Sequence, residues 1–120
     1  MRYVALILGA FALLWAASGR TQSPPGGKEL FERRCTGCHA LDRDKEGPRL
    51  GSVYGRAAAT VPSFDYSEAL KNSHIVWSAQ SLDKWLADPA AMVPGNDMAF
   101  HVENAAERSA LIEYLRQAKP

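Results

Sequence analysis

The chain has 120 residues, 47% of them hydrophobic and 22% charged, with two cysteines and a formal net charge of +1. Its length excludes a two-domain enzyme, and no internal self-similarity points to a repeat array. Fourteen Lys and Arg stand against thirteen acidic residues with no basic stripe, which excludes nucleic-acid binding, because that draws on clustered cations. The apolar content is unevenly spread. Residues 1–19 are almost entirely apolar, and the remainder is lean for a domain of its size, which places it among chains that need a disulfide, a metal or a cofactor to complete a core.

Met1 and Arg2 give a short positive start, Tyr3 to Ala17 form an apolar run broken by Gly9, and Ala16, Ala17, Ser18 and Gly19 suit a cleavage site. Residues 1–19 therefore read as a signal peptide, since a run of roughly 15 residues is short of the ~20 that span a bilayer. The alternative is an uncleaved anchor through residues 3–17. Removing the leader takes Arg2 with it and leaves a chain of zero net charge. Residues 20–26, with Ser23, Pro24, Pro25 and Gly26, have the composition of a flexible linker, and the folded domain is placed at 27–120.

Leu30, Phe31 and Arg34 recur at helical spacing within Lys28 to Cys35. Short helical turns are expected around Ser67 to Asn72. A further helix from about Ser78 to Asp88 presents Leu82, Trp85 and Leu86 and is stopped by Pro89. Asn104 followed three residues later by Glu107 marks the start of a last helix whose apolar face is Ala110, Leu111, Tyr114 and Leu115. The first and last helices should pack together. Strand signals are nearly absent, so the class is all-α.

Cys35-Thr36-Gly37-Cys38-His39 contains both cysteines. Its C-x-x-C-H spacing is the attachment signature of c-type haem: two thiols on one helical turn reach the two vinyl groups, and the next residue offers an imidazole to the iron. A thioredoxin-like pair would want a preceding strand, and a zinc site would want four ligands. For the other side of the iron the candidates are Met98, Met92, His74 and His101. Met98 closes the loop Pro94-Gly95-Asn96-Asp97-Met98, where a methionine taken alone is more often core filler or exposed than a ligand. A thioether favours ferrous iron, and His/Met ligation raises the potential.

Cys35 to His39, Gly47-Pro48-Arg49-Leu50, Gly55-Arg56, Phe64-Asp65-Tyr66, Trp77, Pro89 and Pro94 to Met98 together resemble a class I cytochrome c of the mitochondrial-type branch, from about Gly27 to Lys119. The resemblance implies three main helices and short helical turns wrapped around one covalently attached haem c. It implies His39 and Met98 as the iron ligands and Met92 as a packing residue, and it leaves His74 and His101 on the surface. Pro48 matches the proline whose carbonyl orients the axial histidine. Arg56, Tyr66 and Trp77 match residues around the haem propionates, which as buried carboxylates need a cation and polar-tipped partners. Phe100 matches an aromatic at the haem edge. Gly27 matches the small residue at which the terminal helices cross, with Phe31 meeting Leu111 and Tyr114.

Two departures stand out. Trp85 replaces a tyrosine near the axial sulfur and Leu70 replaces an asparagine of the same internal network, which makes the pocket more apolar and predicts an altered potential. The lysines that ring the haem edge in relatives are also missing: Ala90, Ala91, Ala99 and Val102 form a small apolar rim, with Arg34 left from the ring. The reading is an exported, monomeric one-electron carrier of the respiratory chain that docks redox partner proteins transiently at the haem edge and performs no bond chemistry. It passes electrons from a periplasmic or membrane reductant to a terminal oxidase or reductase. A cytochrome subunit bound to a periplasmic dehydrogenase and a haem gas sensor with a labile Met98 are the alternatives.

Overall fold

The computed structural model describes residues 25–120, so the expected leader and most of the linker lie outside the described residues. The first helix, α1 (Gly27–Arg34), is short and buries only Leu30 and Phe31, so tertiary packing rather than propensity sustains it. The last and longest, α5 (Ala105–Gln117), starts at Asn104, whose side chain accepts the Glu107 N–H at 3.0 Å, and buries Leu111, Ile112 and Leu115. The Glu107 carboxylate is engaged elsewhere, pairing with Arg34 at the end of α1 and tying the two terminal helices together.

The helices cross where Gly27 meets α5. A Cβ at Gly27 would stand 2.0 Å from the Ala110 carbonyl oxygen and 2.8 Å from Tyr114 Cβ, so only glycine permits this approach. One turn on, the Phe31 and Tyr114 rings lie 5.3 Å apart. The chain end closes over the same region, with the Ser52 N–H donating to the Ala118 carbonyl at 2.8 Å.

Three helices lie between. The single-turn α2 (Glu68–Lys71) is capped by Ser67, and α3 (Ala79–Ala87) by a reciprocal pair of Ser78 and Ser81. As expected, α3 buries Leu82, Trp85 and Leu86. Pro89 does end it, but also starts a further turn, α4 (Pro89–Met92), that the sequence reading passed over. The signal was present: Asp88 caps Ala91 N–H with its side chain, and proline at the first helical position sacrifices no hydrogen bond. Arg108 of α5 donates from Nε to Asp83 Oδ1 of α3 at 2.7 Å. Among the described residues extended pairing is limited to one isolated bridge, Ala57 with Val76, and the fold is all-α.

Candidate functional site

The helices and the loops between them enclose a cavity of about 530 Å³. All eight residues singled out as cofactor-binding, Cys35, Cys38, His39, Pro48, Arg56, Tyr66, Trp77 and Met98, line it.

Cys35 caps α1, and the chain then turns so that the Cys38 and His39 N–H groups both bond the Cys35 carbonyl, at 3.1 and 2.8 Å. The thiols are not joined to each other. Burial pushes the Cys35 thiol up to about 11 and favours its neutral form. His39 Nδ1 lies 2.7 Å from the Pro48 carbonyl oxygen. A carbonyl only accepts, so Nδ1 carries the hydrogen and Nε2 keeps its lone pair for a metal. Burial also lowers the His39 pKa, against the Pro48 bond, and favours this neutral form. The ring is fixed from its flank by Gly47, where a Cβ would fall 2.3 Å from His39 Cε1.

Met98 comes from a loop that Asn96 organises. The Asn96 amide donates to the Pro89 and Val93 carbonyls at 2.9 and 2.8 Å, while its oxygen accepts the Met98 N–H at 2.7 Å. Gly95, at φ +87°, supplies the left-handed turn beside it. The Trp85 indole N–H donates to Met98 Sδ at 3.2 Å. Past the loop, Arg108 Nη1 holds the Val102 and Glu103 carbonyls.

Arg56, Tyr66 and Trp77 form the polar part of the lining. Arg56 donates to the Gly51 and Arg49 carbonyls at 3.2 and 3.0 Å, and the Tyr66 hydroxyl accepts the Val61 N–H at 3.3 Å, leaving its own hydrogen to donate. Burial pushes the Tyr66 phenol up, which favours its neutral form, and pulls the Arg56 guanidinium down from a starting value so high that it stays cationic. Outside them, Asp44 accepts the Arg49 N–H at 2.9 Å and the Ser63 hydroxyl at 2.5 Å, which clips two loops together.

Two rim assignments change. Val102 is fully buried, its N–H bonded to the Leu86 carbonyl at 2.7 Å, because the residue must anchor the Met98 loop to α3. Arg34 is paired with Glu107 rather than presented as a free cation. Ala90, Ala91, Ala99 and Phe100 are exposed, and Ala99 and Phe100 line the cavity. His74 and His101 are exposed as well, and Met92 packs against the core. Sequence reasoning missed Asp44 altogether, and it placed Asn96 and Gly47 within the family pattern without assigning them a part in building the site. Asn after Pro-Gly was a readable turn signal, whereas Gly47 gives no local sign of a ring 39 residues into the chain pressing on it.

The donor set fits a haem. It offers one neutral imidazole and one soft thioether, two thiols for covalent attachment, and a cation with two polar-tipped aromatics for carboxylates. Among the described residues no three His, Cys, Asp or Glu side chains are grouped so as to hold a bare metal ion.

The sequence profile of the cytochrome c family matches residues 26–119. Cytochrome c of Euglena viridis is 43% identical over 96 residues, covering 78% of this chain and 94% of its own. Cytochrome c2 of Rhodomicrobium vannielii is 34% identical over 119 residues, covering 96% and 95%. Among solved structures, cytochrome cH from Methylobacterium extorquens superposes with a TM-score of 0.71 at 34% identity, over 74% of this chain and 92% of that one.

Proposed function

Because the chain belongs to the class I cytochrome c family, whose members carry electrons on a covalently held haem c and are not enzymes, we propose that it is an exported one-electron carrier with His39 and Met98 as the axial ligands. When bound, the haem supplies the ferric/ferrous couple. The chain's own residues would then attach it through Cys35 and Cys38, present Nε2 of His39 and Sδ of Met98, neutralise its carboxylates with Arg56 and offer them hydrogen bonds from Tyr66 and Trp77.

The observation that carries this reading is the paired presentation of two donors: an imidazole locked as its Nδ1–H tautomer by Pro48 and a sulfur held by a buried indole. Filling both axial positions leaves none for a substrate, which is the property an outer-sphere carrier needs. Export follows from the apolar leader of residues 1–19. No helix among the described residues is long and apolar enough to cross a membrane.

The donor is a periplasmic or membrane reductant of the quinol-oxidising or dehydrogenase kind, and the acceptor a terminal oxidase or reductase. Contact is through Ala90, Ala91, Ala99 and Phe100, in a small transient interface. With Arg34 neutralised by Glu107, steering towards an acidic partner is weak, and electron-transfer rates should fall only gently between low and moderate salt. A spectroelectrochemical titration of the matured protein, with and without carbon monoxide, tests the assignment. A high midpoint potential and no gas adduct supports it, whereas a stable carbon monoxide complex at neutral pH identifies a gas-binding haem instead.

A further inference from the structure

We propose that the redox partner of this chain docks with a cationic patch, because the apolar mouth of the cavity is flanked by carboxylates whose charge is not cancelled. The inference rests on a haem filling the cavity and exchanging electrons through that mouth. The open side is marked by residues that both line the cavity and are exposed, among them Cys38, Glu46, Asp97, Ala99 and Phe100. Phe100 is the large apolar side chain at the opening, 37% exposed.

Glu46 and Asp97 reach solvent here, and neither is paired with a cation among the described residues. Glu103 follows soon after Phe100 and is 90% exposed, with His101 beside it at 3.6 Å. Asp88 stands exposed next to Ala90 and Ala91, and accepting the Ala91 N–H at 3.0 Å leaves its negative charge in place.

Cations do not match them. Arg34 lines the cavity but is paired with Glu107, so the two cancel. Arg56 is half-buried, bonded to the Gly51 and Arg49 carbonyls, and on the reading above it answers the carboxylates of the haem itself. Lys45 is left, its ammonium donating to the Thr36 carbonyl. One ammonium therefore stands against four carboxylates. The chain without its leader has zero net charge, so the excess belongs to this side and not to the whole molecule.

The apolar centre of the rim accepts protein surfaces of either sign, and charge selects between them. An acidic partner would bring like charges together, whereas Lys and Arg side chains on the partner are drawn in from about a Debye length, ~8 Å at physiological salt. Because the carboxylates are exposed, they act on the rate of encounter more than on the strength of the complex. Their small number keeps the dependence on salt gentle.

The test uses the matured ferric holoprotein and two reductants of opposite charge, hexaammineruthenium(II) and iron(II) EDTA. Each gives one electron to the ferric haem and ends as its metal(III) complex. Raising the salt from low to moderate should slow the cationic reductant about threefold and speed the anionic one. Asp97→Asn and Glu46→Gln keep shape and remove charge, and each should slow the ruthenium complex about twofold at low salt while speeding the iron complex. Glu113→Gln, on α5 and outside the cavity lining, makes the same change in net charge and should alter neither rate. Salt slopes of one sign for both reductants, or equal responses to Asp97→Asn and Glu113→Gln, overturn the proposal.

A peptide probe locates the surface. Hexalysine added to the ferrous holoprotein should shift the amide resonances of Asp97, Ala99 and Phe100, and hexaglutamate should leave them in place. Hexalysine shifts confined to the exposed Glu29 and Glu32 of α1 overturn the proposal. The two levels separate cleanly. If neither reductant reduces the haem, the carrier reading beneath fails; if both reduce it without regard to their charge, that reading stands and the cationic partner is lost.

Discussion

His39 and Met98 reach the same cavity from segments that hold them by different means. The histidine side rests on backbone: a proline carbonyl takes its Nδ1–H, a glycine lies flat against the ring, and the two cysteines sit within the same turn. The methionine side rests on side chains, with Asn96 knitting the loop, Trp85 addressing the sulfur and Arg108 tethering the exit. Backbone contacts leave a side chain little freedom to depart, whereas each side-chain bond opens by rotation about χ angles. The molecule is therefore stiffer around His39 than around Met98, and any opening of the cavity should begin at Met98.

Substitutions can break this asymmetry. The largest effect is expected on the histidine side: Gly47→Ala places a methyl inside the imidazole and should cost about 3 kcal/mol, measured by denaturant unfolding of the holoprotein. On the methionine side Asn96→Ala removes bonds to the Pro89 and Val93 carbonyls and to the Met98 N–H, and should cost about 2 kcal/mol. Its distinguishing sign is tighter binding of added imidazole, which Gly47→Ala should not share in proportion to its lost stability. Equal ligand lability in both variants would erase the comparison.

Leu70→Asn sharpens it further. An amide in this apolar lining admits water beside the haem and should lower the midpoint potential modestly without loosening the histidine, as followed by spectroelectrochemistry. The smallest effect concerns Asp44. The Ser63 hydroxyl, and then the Arg49 N–H, hold its carboxyl below the usual carboxylate range. A depressed folded-state pKa contributes stability above the ordinary carboxylate pKa and loses it as pH falls through the depressed value. Asp44→Asn should therefore lower stability slightly across the neutral region and converge on the wild type at the acid end, which flattens the profile there.

Much of this architecture could be read along the chain. The attachment motif, the terminal helices and α3 announce themselves through spacing and capping, because those signals are local. Leu82, Trp85 and Leu86 share a face within one helix, so their burial needed no knowledge of the partner. What escaped was set by distant contact. Val102 sits in a stretch that reads as exposed loop, and its burial depends on Leu86 of α3, well back in the sequence, and on Arg108 of the helix that follows. Arg34 reads as a surface cation until Glu107 arrives from the opposite end of the chain. The turn at Pro89 lay between these cases, written locally in Asp88-Pro89 but masked by the habit of treating proline only as a terminator.

The crossing of Gly27 with α5 has a consequence for the order in which the molecule assembles. The attachment motif follows directly on α1, yet the surface that buries α1 belongs to the last helix of the chain. While the polypeptide is being made from its amino terminus, the cysteines emerge with no scaffold behind them, since contacts of such long sequence separation form only when both ends are present. Haem can therefore be joined to an open chain, and the arrival of residues 105–117 then closes the fold around a cofactor already in place.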